Sequence, residues 1–262
     1  MSNKIFIAGG CSFTYGSELA DRQKSWPYKL YENSKAVNYV NTAGPGASNS
    51  AIARRLFTEI AKHKPGDIKC VAVMWTFTSR YDWAMPKNDH LEDKRWTSIT
   101  PWDTNLSNAE KHDALVGSEA EQEVWKNRAE VLTQSGIRPL ADAIYRYATN
   151  DYHETYLSWK SIIWLQNILE KKKIPFMFTL ADNSLFYKEM EHLKDQDPLM
   201  TALHNEIDFT KWFSFGDRMM GFNQWANLNE YQYATTHPLD EAHNDAVKLM
   251  IPTFNKLIGG IK

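Results

Sequence analysis

Cysteine is nearly absent: Cys11 and Cys70 are the only two in 262 residues, which excludes a multi-bridge disulfide framework and leaves two free thiols as the expectation. No run of about 18 apolar residues occurs, so no transmembrane helix is expected. The opening MSNKIFIAGG lacks the charged start, long apolar core and small-residue cleavage site of a secretory leader. The expected location is therefore the cytoplasm. Charge of one sign is also missing: 30 Lys and Arg stand against 32 Asp and Glu, a net charge of −2. That balance gives no footprint for nucleic acid or an anionic membrane, and neither is expected as a partner. His63, His90, His112, His153, His192 and His204 show no H-x-H, H-E-x-x-H or Cys/His spacing, so no metal and no cofactor is expected. No internal repeat, low-complexity tract or Gly/Ser linker marks off a second domain.

Aromatic residues, by contrast, are plentiful. Five of the ten tryptophans (Trp75, Trp83, Trp96, Trp102 and Trp125) fall in one stretch, where they either pack an irregular insertion or form stacking walls for a ligand such as a sugar. Short apolar runs at Lys4–Ala8, Ala36–Asn41, Cys70–Trp75 and Ile174–Leu180 read as buried strands. Helical spacing follows Ser48 as far as Lys62, precedes the fourth strand around Trp159, Ile162, Gln166 and Leu169, and returns over Pro238–Ile258 with Ala242, Ala246, Leu249, Met250 and Leu257 on one stripe. Pro252 is expected to kink or split that last helix. Continuous apolar strands alternating with helices predict an α/β fold, a single doubly wound, flavodoxin-like three-layer domain over 1–262 with a mostly parallel sheet. Two long insertions, about 80–152 and 182–236, interrupt the rhythm after strand ends, where ligand sites of such sheets lie.

Gly9-Gly10-Cys11-Ser12-Phe13-Thr14-Tyr15-Gly16 follows the first strand directly, placing a hydroxyl at its carboxyl end between glycines that permit a sharp turn. The segment resembles the first motif of the SGNH hydrolases, or GDSL-type esterases, in which a serine nucleophile follows an Asp; here Ser12 matches the serine and Cys11 replaces the Asp. Asn41-Thr42-Ala43-Gly44-Pro45-Gly46-Ala47-Ser48-Asn49 resembles the second block, and Gly46 matches the family's oxyanion glycine. Independently of that likeness, a glycine lets substrate oxygen approach a backbone N–H beside a helix N-terminus. Ser48 and Asn49 are also good caps for that helix, and Asn49 is a candidate substrate contact.

The third block departs from the family's G-x-N-D, reading Trp75-Thr76-Phe77-Thr78-Ser79-Arg80. Thr78 falls nearest the Asn position, where its hydroxyl can donate one hydrogen bond, and Arg80 is a candidate for holding an anionic or polar substrate group. Thr235-Thr236-His237-Pro238 resembles the last block, which makes His237 the catalytic histidine, with Pro238 as the first helical residue and the helix dipole favouring the neutral imidazole. Ala234 occupies the position of the family's acid. The imidazole's other nitrogen is left to a backbone carbonyl, a Thr235 or Thr236 hydroxyl, or an inserted acid such as Asp217 or Glu230. Asp240 and His243 form an alternative D-x-x-H pair in the first turns of the helix.

The resemblance implies a serine hydrolase cleaving carboxylic esters without metal or cofactor, with O-acyl groups on carbohydrate or other small-molecule esters as substrates. Ser12 and His237 are its catalytic residues, and Ser12, Gly46 and Thr78 its oxyanion contacts. The forms G-C-S-F-T-x-G, G-P-G-A-S-N and W-T-x-x-S-R look like variants carried by bacteriophages, which places the protein in host cytoplasm or virion. The competing reading is a degenerate member of the same fold, kept as a binding or virion structural module, since both the G-x-N-D amide and the D-x-x-H acid are missing.

Overall fold

A computed structural model gives the fold and describes residues 4–86, 95–104, 133–186 and 197–259. Four strands, β1 (Ile5–Gly9), β2 (Asn38–Asn41), β3 (Ile68–Trp75) and β6 (Phe176–Leu180), form one sheet in the order β2-β1-β3-β6, parallel throughout. Their side chains explain this placement. Every residue of β6 is buried, as are Phe6 through Gly9 of β1 and all but Lys69 of β3, as expected of parallel strands covered on both faces. Helices α2 (Trp26–Asn33) and α8 (Asp240–Gly259) pack together, and α3 (Asn49–Ile60) packs on α5 (Asp151–Lys171). Right-handed crossovers from β1 to β2 and from β2 to β3 run in opposite directions along the sheet, so the two helix pairs lie on opposite faces. The architecture is the expected three-layer α/β arrangement.

Local chemistry sets the ends of these elements. Ser48 caps α3, its hydroxyl accepting from the Ala51 N–H at 3.1 Å, and Asn150 caps α5 through the His153 N–H at 2.8 Å. Two expectations for α8 are corrected. It is not split: it runs through Pro252 as one helix, with Pro252 on the exposed side, where the carbonyl freed by its missing N–H faces solvent. Its buried stripe is Ala242, His243, Ala246, Val247, Met250, Phe254 and Ile258, so Leu249 faces outward. Both thiols are free and buried.

The first insertion forms an antiparallel pair, β4 (Tyr81–Ala84) with β5 (Trp96–Ile99), followed by α4 (Ile137–Ala143). Tyr81, Met85, Ile99, Ile137, Ala141 and Ile144 make a small apolar cluster of their own. Trp83 and Trp102 are about half exposed, Trp75 lies in the main core, and Trp125 lies outside the described residues. The second insertion supplies α6 (Pro198–Asn205) and α7 (Phe222–Leu228). No helix among the described residues is long and apolar enough to cross a membrane.

The close approach of β1 to α3 depends on Gly9, because a Cβ there would sit 2.4 Å from Leu56 Cδ1. Leu56→Ala removes a fully buried side chain and is expected to cost about 2–5 kcal/mol in urea unfolding. Adding Gly9→Ala to that variant should recover part of the loss, since the new methyl group fills the space vacated. Costs that simply add in the double variant would contradict this packing.

Candidate active site

The loops leaving β1, β2 and β3 emerge at the same edge of the sheet, so three distant segments converge there. The chain turns from β1 into α1 (Ser12–Tyr15), a single helical turn that begins at Ser12. Gly10 permits the turn: a Cβ there would lie 2.0 Å from Thr14 Oγ1 and 3.0 Å from the Met74 carbonyl oxygen. Gly16 then ends the helix in the left-handed conformation, with φ of 79°. Glu18, two residues on, also takes a left-handed φ of 66°, uncommon for a residue with a side chain and typical of functional turns.

That reversal brings the Glu18 carboxylate to the loop ahead of α8. Its Oε2 accepts from the backbone N–H groups of Thr236 (3.0 Å) and His237 (2.9 Å) and lies 3.1 Å from His237 Nδ1. Thr236 Oγ1 is 2.8 Å from the same Nδ1 and 3.3 Å from Glu18 Oε1. On the other side of the ring, His237 Nε2 lies 2.8 Å from Ser12 Oγ. With Nδ1 carrying the proton and facing the carboxylate, Nε2 is the acceptor for the serine hydroxyl. Serine, imidazole and carboxylate thus form a connected line, with Phe13 packed on the imidazole at 4.6 Å between ring centroids.

Burial lowers the His237 pKa from the ordinary histidine value, outweighing the opposing pull of Glu18, and the positive Arg80 adds to the lowering. Glu18 is also partly buried, which works against its charge. The backbone donors and His237 more than offset this, holding its carboxyl below the usual range. The expectation that Pro238 begins the last helix is corrected. Pro238 bridges to Tyr233, the Ala234 N–H bonds the His237 carbonyl at 3.0 Å, and α8 starts only at Asp240. The neutral imidazole is therefore favoured by burial rather than by a helix end.

The oxyanion candidates lie on the segments that follow β1, β2 and β3. Among the described residues, neither the Ser12 N–H nor the Gly46 N–H donates to a protein acceptor. Gly46 has φ of 71°, a conformation that favours glycine, and its loop is tied to the first by the Gly44 N–H to the Gly10 carbonyl at 3.3 Å. Thr78 is almost buried, and its hydroxyl makes no hydrogen bond with another described residue. Asn49 is a correction: it is buried, and its whole amide is committed inside the protein. Oδ1 accepts from the Thr76 N–H at 2.8 Å, while Nδ2 donates to the Thr76 carbonyl and to Ser158 Oγ, both at 3.0 Å. It fastens the end of β3 to α3 and has no donor left for substrate.

The alternative pair is also corrected. Asp240 forms an ion pair with Lys24 at 2.5 Å, and His243 lies in the core, where its Nδ1 accepts from the Trp26 N–H at 3.1 Å and its ring meets Phe222. Of the partners expected for Nδ1, the Thr236 hydroxyl is found there, while the carboxylate beside it belongs to Glu18 and not to an inserted acid such as Asp217 or Glu230. The acid was hidden because it comes from the first motif, six residues after Ser12. The available signal was an acid just past a helix-ending glycine. Among the described residues no group of side chains is arranged to hold a metal ion.

No family model matches the chain, and no curated protein matches it. Among solved structures the chain is similar to TesA, with 9% identity over 97% of this chain and 99% of that one and a TM-score of 0.48. It is similar to the psychrotrophic esterase EstA from Pseudoalteromonas sp., with 9% identity, coverage of 98% and 100% and a TM-score of 0.47. A member of the lipolytic protein G-D-S-L family from Veillonella parvula shows 11% identity, coverage of 97% and 100% and a TM-score of 0.46. At these values the chemistry of the site is read from its own side chains.

His243 makes a pH prediction. Burial depresses its pKa to about 3, so the unfolded chain binds a proton that the folded chain refuses between the ordinary value of 6.5 and about 3. The stability it confers is complete above pH 6.5 and falls as pH drops, with a slope approaching about 1.4 kcal/mol per pH unit. Urea unfolding at stepped pH should show this slope in the wild type and a shallower one in His243→Gln. Identical slopes would contradict the placement of His243.

Proposed function

We propose that the chain is a serine hydrolase of the SGNH type that cleaves carboxylic esters. The observation that carries this reading is the unbroken line from Ser12 Oγ through His237 to Glu18. In the first step Ser12 Oγ attacks the ester carbonyl carbon while its proton passes to His237 Nε2. The carbonyl oxygen gains the negative charge, which the N–H groups of Ser12 and Gly46 and the Thr78 hydroxyl stabilise. Collapse of the tetrahedral intermediate breaks the bond to the alcohol, which leaves with the proton from His237. Water then repeats the sequence on the acyl-serine and releases the acid. Glu18 fixes the Nδ1–H tautomer and stabilises the imidazolium formed in each attack.

Acyl groups carried on carbohydrate are the substrates we favour. Thr100 Cγ2 lies 3.5 Å from where a Gly46 Cβ would sit, and Trp102, two residues on in the chain, is about half exposed, which supports an aromatic contact for a sugar ring. The degenerate-module reading drew on two missing groups, the acid and the third-block amide. Glu18 supplies the first. Cys11 does not compete as nucleophile, being wholly buried and one residue out of line with the imidazole.

With 4-nitrophenyl acetate, Ser12→Ala is expected to abolish turnover at an almost unchanged melting temperature, and undiminished turnover would remove Ser12 as nucleophile. Glu18→Gln keeps an acceptor for the two backbone donors but loses the charge; a fall in kcat of roughly 10²–10⁴ is expected. A rate near the wild-type value would reassign the acid. Because His237 must be neutral to act, kcat/KM should rise through a limb below pH 6.5 and stay flat across neutrality. A limb above 7 would contradict the burial of the imidazole.

A further inference from the structure

We propose that Arg80 is a specificity-determining anchor that selects esters bearing a carboxylate close to the scissile bond. The proposal rests on the serine-hydrolase reading above and names the substrate class that site would take. Arg80 lies just beyond Thr78 and is partly buried. Its Nη1 donates to Thr76 Oγ1 at 3.1 Å and to the Ala47 carbonyl at 3.4 Å, so the guanidinium bridges the end of β3 and the residue following Gly46. Its Cζ stands 4.7 Å from the centre of the Phe77 ring. Phe77 in turn meets Phe13, which packs on His237. The backbone beneath is also held: the Arg80 N–H donates to the Thr78 carbonyl at 2.8 Å, and the Tyr145 hydroxyl to the Ser79 carbonyl at 2.6 Å.

Among the described residues Arg80 forms no ion pair and makes no hydrogen bond through Nε or Nη2. Arg54, on neighbouring α3, shows the contrast, its Nε and Nη2 gripping Asp82 at 2.8 and 3.2 Å. The carboxylate nearest the catalytic histidine, Glu18, is committed to residues 236 and 237. Among the described residues this partly desolvated cation meets only neutral acceptors, on one nitrogen, which leaves its charge for an anion to balance. The free edge, Nε with Nη2, is the side of the fork that a carboxylate grips with both oxygens. The charge is also felt at His237, whose proton affinity it lowers, so a bound anion would lie within electrostatic reach of the reacting atoms.

The test compares matched esters that differ in one charge. On the alcohol side these are 4-acetoxybenzoate and its neutral methyl ester. On the acyl side they are mono-4-nitrophenyl glutarate and 4-nitrophenyl butanoate. The wild type is expected to prefer the anionic member of at least one pair by roughly tenfold or more in kcat/KM, chiefly through KM, and to lose that preference as salt rises. Arg80→Gln should bring the ratio to about one, and Arg80→Lys should retain part of it, which keeps the result readable if the Gln variant folds poorly. The proposal is overturned by a wild type that turns over both members of each pair with no preference, or by a preference that survives Arg80→Gln. A kcat loss shared by all four esters at an unchanged ratio also overturns it, since that marks an oxyanion donor. Calorimetric binding of the same esters to Ser12→Ala separates the two readings. Tighter binding of the anionic ester that depends on Arg80 upholds the anchor even if the wild type hydrolyses nothing; equal binding of both esters overturns it whatever the wild type hydrolyses.

Discussion

The Glu18 carboxylate ties two segments more than two hundred residues apart, and the geometry of the site depends on that clasp. Its Oε2 accepts both backbone N–H groups of Thr236 and His237, which fixes the loop ahead of α8, and the same oxygen faces Nδ1, which fixes the ring. A charged acceptor on three donors is much stronger than a neutral one, and here it works in a partly buried setting. The left-handed φ of Glu18, 66°, is the local cost of the turn that carries this carboxylate. Without the clasp, Nδ1 keeps only the neutral Thr236 hydroxyl, which offers no charge to stabilise the imidazolium.

The layers of the fold were legible because the signals that made them are local and strong. Apolar runs with no alternation marked β1, β3 and β6 as strands buried on both faces, and Ser48 announced the start of α3. Departures arose where tertiary context outweighed a local rule. Pro252 is expected to kink or split α8, yet the helix is not split, because on its exposed side water takes up the freed carbonyl and the buried stripe holds both halves. Pro238 was expected to begin that helix, but a bridge to Tyr233 holds it in a turn instead. The insertions carried no period to read, and the β4–β5 pair owes its place to contacts such as Arg54 with Asp82 and the Ser48 N–H with Ser98 Oγ at 3.1 Å.

The site was legible where the chemistry demands a residue type and opaque in its compensations. Ser12, Gly46 and His237 could be found because each needs a particular residue type at a strand end or turn, and the structure brings Ser12 and His237 into hydrogen-bond reach. Asn49 was misjudged because an amide beside a glycine loop looks the same in sequence whether it faces substrate or bridges β3 to α5 through Ser158. Glu18 escaped because a triad acid is defined by where its carboxylate ends up, which spacing alone does not give. His243 shows the converse, a histidine in a catalytic-looking D-x-x-H that is buried as an acceptor for the N-terminus of α2.

The central claim is that Ser12 is a nucleophile activated through His237 by Glu18. Covalent labelling with a fluorophosphonate, followed by peptide mapping, tests it without reference to any natural substrate. A single adduct on Ser12 is expected, absent in His237→Ala and formed far more slowly in Glu18→Gln. No adduct in the wild type, an adduct on another residue, or labelling of Ser12 at the same rate without His237 would contradict the account.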